Sequence, residues 1–175
     1  MARYVALLRG INVGRNKRVA MADLRELLAD AGFTEVRTHL NSGNAVLTAP
    51  EAPTGELADR ITAAIADRLG LDVACVVLTA DELRAAIAAH PFADVATNGS
   101  RMMAWFCSTA PDPDRPQMRD ALALDPERAR LVGTVLYQWC PDGLTGAPPV
   151  AAGIEKGVVT TSRNWNTVTR LAELL

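Results

Sequence analysis

The chain has 175 residues, of which 49% are hydrophobic and 22% are charged, and its formal net charge at pH 7 is −2. This length predicts one good core or two small subdomains, and the composition is typical of a soluble globular protein. The slight negative charge argues against a wholly basic nucleic-acid-binding domain. The sequence contains neither a long apolar stretch that could cross a bilayer nor a secretion signal, so we expect a cytoplasmic protein.

The cysteines and histidines give no indication of a metal site or a disulfide framework. Cys75, Cys107 and Cys140 are far apart in the sequence, and none belongs to a Cys-x-x-Cys pair. Each has apolar neighbours, which is typical of small buried side chains. His39 lies in a predicted strand and His90 at a predicted helix end. We therefore expect no metal and no cofactor.

The first half of the chain shows the element order β-α-β-β-α-β, which is the ferredoxin-like unit. Apolar runs predict its strands, and Leu24, Leu27 and Leu28 recur at helical spacing in its first helix. The predicted elements are a strand at 3–9, a helix ending before Gly32, strands at 34–40 and 44–49, a helix at 55–69 and a strand at 72–78.

The second half begins a similar order after a connecting helix. Thr79 and Glu82 form a capping box, which predicts that this helix starts there and runs to about residue 90. The following elements are a strand at 101–108, a helix entered through the proline-rich loop at 111–124, strands at 128–132 and 134–140, a weak short helix at 149–157, a short strand at 158–161 and a C-terminal helix at 164–175.

These elements predict an α+β protein with two ferredoxin-like βαββαβ halves, antiparallel sheets and a C-terminal helix. We assign the first half to residues 1–78, the connecting helix and loop to 79–100, and the second half with its C-terminal helix to 101–175. The residues of the two halves show no repeat, so the duplication is inferred from element order alone.

A cluster of positive charge separates the first predicted strand from the first predicted helix. The segment RGINVGRNKR, residues 9–18, contains no acid and four cations: Arg9, Arg15, Lys17 and Arg18. Gly10 and Gly14 permit positive φ and the close approach of a ligand. The helix that follows offers unpaired N–H groups at the positive end of its dipole. These are the components of a phosphate or carboxylate site.

This segment matches neither standard nucleotide motif. A P-loop has four residues between its two glycines, and Lys and Ser or Thr follow the second glycine. In this segment only three residues separate Gly10 from Gly14, and Arg15 follows. The motif Gly-x-Gly-x-x-Gly is also absent. An alternative interpretation is a solvated turn, because charge clusters are usually solvated. Its cations would then pair with three nearby acids of the first helix: Asp23, Glu26 and Asp30.

Two further polar stretches favour a ligand. Residues 41–44, Asn-Ser-Gly-Asn, surround one glycine with hydrogen-bonding side chains, although a tight turn explains the same residues. Residues 160–166 are predicted to start the last helix, where Ser162 or Asn164 would be the cap. Arg163 would then lie at a helix N-terminus, where a cation opposes the dipole. Either a bound anion or a carboxylate from elsewhere in the fold would balance this charge.

The strings ALLRGINVG at 6–14, NSGN at 41–44 and SRNWNTVTRL at 162–171 resemble the bacterial "domain of unknown function" family 1697. The resemblance covers essentially the whole chain. It implies a small cytoplasmic protein with two ferredoxin-like halves, in agreement with the element order. It implies no activity, substrate or cofactor. The chain departs from the family at Gly14-Arg15-Asn16, where members usually have Gly-Gly-Lys, and after residues 141–143, where members often have Ser-Lys and this chain has only Lys156.

By this resemblance, the family's signature positions supply our predicted ligand-binding residues. They are Arg9, Gly10, Asn12, Gly14, Lys17, Ser42, Gly43, Asn44, Arg163, Asn164 and Trp165. The leading hypothesis is a binding module for a phosphate-bearing small molecule or nucleotide. In it Arg9, Lys17 and Arg163 hold the charge, while Asn12, Ser42 and Asn44 orient the ligand.

Three alternatives stay open. An enzyme of phosphoryl or acyl chemistry could use the same site, but the sequence shows no Ser-His or Cys-His pair at a recognised spacing. The only candidates for a catalytic base are Asp23 and Glu26. Single-stranded nucleic-acid binding is disfavoured by the acidic net charge and would need stacking aromatics on the strands, namely Tyr4, Trp105, Tyr137 or Trp139. The last is a ligand-free interaction protein. Catalytic residues and oligomeric state are not predicted.

Overall fold

The computed structural model describes residues 1–14 and 17–175. The chain divides into two compact units, the first comprising Met1–Arg84 with Arg170–Leu175, and the second Ala85–Thr169. Each unit contains one four-stranded antiparallel sheet. The predicted α+β class and the two ferredoxin-like halves are confirmed. The predicted domain boundaries stay a prediction.

The first unit has the predicted βαββαβ order. Its elements are β1 (Ala2–Leu8), α1 (Met21–Asp30), β2 (Thr34–His39), β3 (Asn44–Ala49), α2 (Thr54–Leu69) and β4 (Cys75–Thr79). The strands pair in the order β2-β3-β1-β4, and every pair is antiparallel. This is the ferredoxin-like arrangement, in which β1 has a neighbour on both sides.

The core of the first unit lies between the sheet and its two helices. Alternate residues of β1 lie on the same face of the sheet. On one face they pack against the apolar sides of α1 and α2. The buried residues of this core include Tyr4, Ala6 and Leu8 of β1, Leu24, Leu27 and Leu28 of α1, and Leu57, Ile61 and Ile65 of α2. Val5 and Leu7 on the opposite face of β1 are also buried, which explains why this strand is a continuous apolar run.

The second unit repeats this sheet order with a shorter second crossover. After α3 (Ala80–Ala88) come β5 (Met102–Cys107), α4 (Pro116–Ala123), β6 (Ala129–Val132), β7 (Val135–Trp139), β8 (Thr160–Asn164) and α5 (Trp165–Leu174). The strands pair in the order β6-β7-β5-β8, all antiparallel. None of the helices in the described ranges is long and apolar enough to cross a membrane.

Two sequence expectations about the second crossover are wrong. The helix predicted at 149–157 is only a 3₁₀ helix at Val150–Gly153, preceded by another at Leu144–Gly146. Gly157, at a φ of 101°, cannot continue a right-handed helix. The strand predicted at 158–161 begins later and extends to Asn164, because pairing with β5 continues to that residue.

Gly153 allows the second 3₁₀ helix to pack directly on α4. A Cβ atom at this position would lie 2.6 Å from the Ala121 Cβ and 2.8 Å from the Gln117 carbonyl oxygen. The nearby core contains Met118 and Val150, both fully buried. The short crossover therefore closes this side of the second core through a contact that only glycine permits.

We expect Gly153→Ala to lower the free energy of unfolding by about 1–3 kcal/mol, the usual cost of overpacking a well-packed contact. Urea denaturation followed by circular dichroism measures this difference. Gly55→Ala is the matched control, because Gly55 lies in the first turn of α2 with no atom within 4 Å of the added Cβ. Equal stabilities of the two variants would contradict the close-packing explanation.

Candidate functional site

The basic loop and the turn at 41–44 lie next to each other in the first unit. Because β1 and β3 are antiparallel neighbours with Leu7 opposite Asn44, the end of β1 and the start of β3 meet at one edge of the sheet. The Leu8 N–H donates to the Gly43 carbonyl at 2.8 Å. The structure thus brings together the predicted residues of the loop and of the turn.

Asn12 holds the loop in a closed conformation. Its side-chain amide donates to the Val19 carbonyl at 2.8 Å and to the Asn41 carbonyl at 2.7 Å, and its Oδ1 accepts from the Val19 N–H at 2.9 Å. Its own N–H donates to the Lys17 carbonyl at 3.0 Å. Asn12 therefore ties both ends of the loop together and attaches them to the neighbouring turn.

Strained backbone is concentrated at this place. Three of the four non-glycine residues described with positive φ lie here: Asn12 at 55°, Lys17 at 49° and Leu40 at 57°. Leu40 is also 58% exposed, so packing does not explain its conformation. Such conformations persist where surrounding bonds impose them, and they are frequent at functional sites.

Two kinds of glycine occur at the loop and turn. Gly43 has a φ of 82°, and a Cβ there would lie 2.7 Å from the Leu8 Cβ and 2.9 Å from the Ile11 Cδ1, so it permits the close approach of turn and loop. Gly10 and Gly14 also have positive φ but have open space around them. Their backbone is therefore accessible to an approaching molecule.

The turn itself is stabilised by Asn44. Its side chain is fully buried and donates to the His39 carbonyl at 2.8 Å and to the Ser42 Oγ at 3.0 Å. These bonds support the tight-turn interpretation of residues 41–44. Ser42 itself is exposed beside the loop.

Three cations of the loop are exposed and form no ion pair within the part of the chain that the structure describes. Arg9, Lys17 and Arg18 are exposed, and among the described residues none of the three forms an ion pair. Lys17 Nζ donates to the Asp72 carbonyl, a neutral acceptor. Arg15, the fourth predicted cation, lies outside the described residues.

Two of the three acids of α1 pair with a cation of α2. Arg68 of α2 pairs with Glu26 at 2.8 Å and with Asp30, and hydrogen bonds to these two carboxylates raise the pKa of Arg68. Two of the three acids that the solvated-turn interpretation assigned to the loop cations are therefore bound to another cation. Glu26 is also mostly exposed in this pair.

The start of α1 follows the loop and has no side-chain cap. Ala20 occupies the N-cap position and makes no side-chain hydrogen bond. The first N–H groups of an α-helix have no intrahelical acceptor, and the helix dipole places positive potential there. The loop cations are therefore next to a second source of positive potential.

The expected position of Arg163 is wrong. It lies in β8, paired opposite Ala104, and not at the N-terminus of the last helix. The side chain is only 8% exposed, and its Nη1 donates to the Thr161 Oγ1 at 2.8 Å and to the Ser162 carbonyl at 2.7 Å. Arg163 belongs to the strand because pairing with β5 extends to Asn164, the residue before α5.

Asn164 and Trp165 have structural roles in the second unit. The Asn164 Oδ1 accepts from the N–H and the hydroxyl of Thr167, both at 3.0 Å, as an N-cap does. The Trp165 ring lies 4.2 Å from the His90 ring, centroid to centroid, and burial lowers the pKa of His90. The predicted convergence of these residues with the loop stays a prediction.

Two thiols and two of the predicted stacking aromatics are buried. Burial raises the pKa of Cys107, and it raises the pKa of Cys140 to about 11, so both thiols stay protonated at neutral pH. Tyr4 and Tyr137 are buried, which removes two of the proposed stacking aromatics. Within residues 1–14 and 17–175, no group of three His, Cys, Asp or Glu side chains could hold a metal ion.

Sequence reasoning missed the carbonyl groups that shape the site. Those of Val19, Asn41 and Asp72 accept the bonds that hold Asn12 and Lys17. A main-chain acceptor carries no residue-specific signal, so only the fold could reveal it. Arg18 lies in the basic loop but was not among the predicted ligand-binding residues. It is exposed, as are the predicted cations Arg9 and Lys17.

Comparisons with known proteins bear on the fold. A family model described as "Protein of unknown function (DUF1697)" matches residues 1–137. None of the curated proteins compared with the chain matches it. Among solved structures, the chain is similar to the conserved bacterial protein SP0830 from Streptococcus pneumoniae, with 22% identity and a TM-score of 0.73, over 99% of this chain and 98% of that one. At this identity the similarity shows the fold alone.

We expect Asn12→Ala to lower the free energy of unfolding by about 1–3 kcal/mol, because the Val19 N–H and two carbonyls lose their partner and alanine disfavours positive φ. Urea denaturation of the full chain measures the change. Asn41→Ala is the matched control, because Asn41 contributes its carbonyl to the clamp and its side chain is exposed. A loss in the control as large as in Asn12→Ala would contradict the role of the Asn12 side chain.

Proposed function

The chain belongs to the family of proteins of unknown function called DUF1697, and from its own residues we propose that the first unit binds a phosphate-bearing small molecule or nucleotide. The basic loop is the binding element. The observation that carries the proposal is a set of three exposed cations without an ion-pair partner among the described residues, on a loop that Asn12 holds closed.

The uncompensated charge favours an anion. A surface cation gains little from a single distant acid, but several cations on one loop raise the local potential together. Arg9 and Arg18 offer planar forks that match phosphate oxygens, and Lys17 adds a point charge. Two of the three acids of α1 that could compete, Glu26 and Asp30, are held by Arg68.

The backbone geometry supports the same ligand class. Gly10 and Gly14 have open space on the side where other residues carry Cβ, so phosphate oxygens can approach their N–H groups. The uncapped first turn of α1 adds N–H donors and the positive end of a dipole. In this proposal Ser42 supplies a hydroxyl at the neighbouring turn, and Asn44 fixes that turn.

The proposal for the first unit does not require Arg163, Asn164 or Trp165. Arg163 already donates to Thr161 and Ser162 within β8. No observation on the described residues favours catalysis at the loop. Binding is therefore the function that these residues support best.

We expect the variant Arg9→Gln/Arg18→Gln to bind its ligand at least about tenfold more weakly, since each charge-assisted hydrogen bond contributes about 1.5–3 kcal/mol. The probes are inorganic phosphate, ribose 5-phosphate, AMP and ATP, screened first by thermal shift and then by titration calorimetry. A ligand at a hundred times its Kd should stabilise the wild type by about 2.7 kcal/mol.

Arg128→Gln/Arg130→Gln is the matched control, since it removes the same charge from two exposed arginines of the second unit. This control should bind like the wild type, and affinity should fall with added salt. Absence of binding by all four probes, or equal loss in both double variants, would reject a specific anion site on the loop.

A further inference from the structure

Strand β6 is an outer strand of the second sheet, and a groove lies between it and α4. The strand order β6-β7-β5-β8 gives β6 a single neighbour, β7. The groove has a volume of about 390 Å³, and its apolar lining includes Leu122 and Ala123 of α4 and Leu131 of β6. Extended peptides bind proteins by adding a strand to such an edge, with pockets beside it for their alternate side chains.

The main-chain groups of β6 point by turns to β7 and to the open edge. In an antiparallel pair, opposite residues alternate between hydrogen-bonded and non-hydrogen-bonded. The Trp139 N–H donates to the Arg128 carbonyl at 2.8 Å, which sets this alternation and makes Leu131 a non-hydrogen-bonded residue. The Leu131 N–H and carbonyl therefore point away from β7. So does the Ala129 N–H, which donates to the Asp125 carbonyl at 2.8 Å. Within residues 1–14 and 17–175, no main-chain group bonds to Leu131 from the open edge.

The walls of the groove are held by the core of the second unit. Ala129 of β6 and Met118 of α4 are buried in that core, and Leu122 and Leu131 are half-buried against it. Because side chains two positions apart lie on one face of a strand, Leu131 shares with Ala129 the face that packs on α4. The groove is therefore a preformed apolar surface, which a ligand can fill without the cost of ordering it first.

The corresponding edge strand of the first sheet is interrupted, whereas β6 is regular. The register of β2 with β3 shifts between Thr34 and Arg37, and Glu35 in this interval has a φ of 50°. Irregularities of this kind hinder the pairing of an edge strand with another chain. β6 pairs with β7 in unbroken register from Ala129 to Val132. It thus keeps the regular edge that an added strand needs.

The charge at the groove favours an acidic occupant. Arg119 of α4 and Arg130 of β6 line it, together with no acid among the described residues. Neither arginine forms an ion pair within the part of the chain that the structure describes. Their attraction for an acidic chain acts over about 8 Å at physiological ionic strength, so it requires no fixed side-chain geometry. A second copy of this chain would bring the same cations against its own, and charged side chains on an edge strand disfavour such self-pairing.

We propose that β6 and this groove bind an extended acidic segment of a partner protein, which joins the sheet as a further antiparallel strand. The segment residue opposite Leu131 exchanges both main-chain hydrogen bonds with it, and the Ala129 carbonyl accepts another. Alternate side chains of the segment lie on the face of α4 and fill the groove, so they are apolar. The residue between them lies beside Arg130 on the other face, where an acid makes a favourable cross-strand pair. This site is independent of the anion site proposed for the first unit.

Fluorescence anisotropy of labelled peptides with the full chain tests the proposal. The probes are end-capped peptides of the sequence Thr-x-Glu-x-Glu-x-Thr, in which each x is Val, Leu or Phe. At least one should bind, with an affinity that falls with added salt. The same peptide with Lys in place of both Glu should bind at least about tenfold more weakly, because its charge matches that of the groove.

N-methylation of the peptide tests the strand pairing without any change to the protein. The apolar residues that fill the groove also direct their N–H groups at β6, whereas the Glu N–H groups point to solvent. Methylation of the central apolar residue's nitrogen should weaken binding about tenfold or more, and methylation of a Glu nitrogen should leave the Kd nearly unchanged. Hydrogen exchange of the Leu131 amide should slow when the peptide is bound. Equal effects of the two methylations would contradict strand addition.

Variants of exposed residues locate the site. Ala123→Glu places an acid in the groove and should weaken binding about tenfold or more, whereas Leu124→Glu is the matched control at the next exposed position, outside the groove lining. Arg119→Gln should weaken binding severalfold, and Arg115→Gln, which changes an exposed arginine outside this groove, should not. No binding by any peptide at millimolar concentration, or wild-type affinity in Ala123→Glu, would overturn the proposal. A dimer of the chain that Ala123→Glu dissociates would also overturn it and assign the edge to a second copy.

Discussion

The antiparallel pairing of β1 with β3 is the constraint on which the candidate site depends. This pairing places the end of β1 beside the start of β3, with Leu7 opposite Asn44. The loop that leaves β1 must therefore pass over the turn that enters β3. Gly43 permits this approach, and Asn12 converts the proximity into hydrogen bonds. The position of the basic loop is thus a consequence of sheet topology.

The charge of the loop is left uncompensated for a reason that also lies in the fold. Both α1 and α2 pack on the same face of the sheet. Glu26 and Asp30 on α1 are within reach of Arg68 on α2, and they pair with it. An exposed pair of this kind contributes little to stability. Its more important effect is that two of the acids nearest in sequence are bound away from the loop.

The second unit shows how the same sheet order can carry different features. Its strands follow β6-β7-β5-β8, as the first unit follows β2-β3-β1-β4. Its second crossover has two 3₁₀ helices in place of an α-helix, and Gly153 presses the later one against α4. The segment after the later 3₁₀ helix lines a cavity of about 300 Å³ together with the start of α4.

The sequence by itself determined the elements and their order, because strand and helix periodicities are local properties. The apolar run of β1 and the stripe of Leu24, Leu27 and Leu28 predicted their elements correctly. The charge of the loop was equally visible. Only the tertiary structure decided which groups meet: that Arg163 belongs to a strand, that Glu26 pairs with Arg68, and that Glu155 lines a cavity. Strand bounds, ion pairs and cavities depend on partners distant in sequence, and local patterns carry no information about those partners.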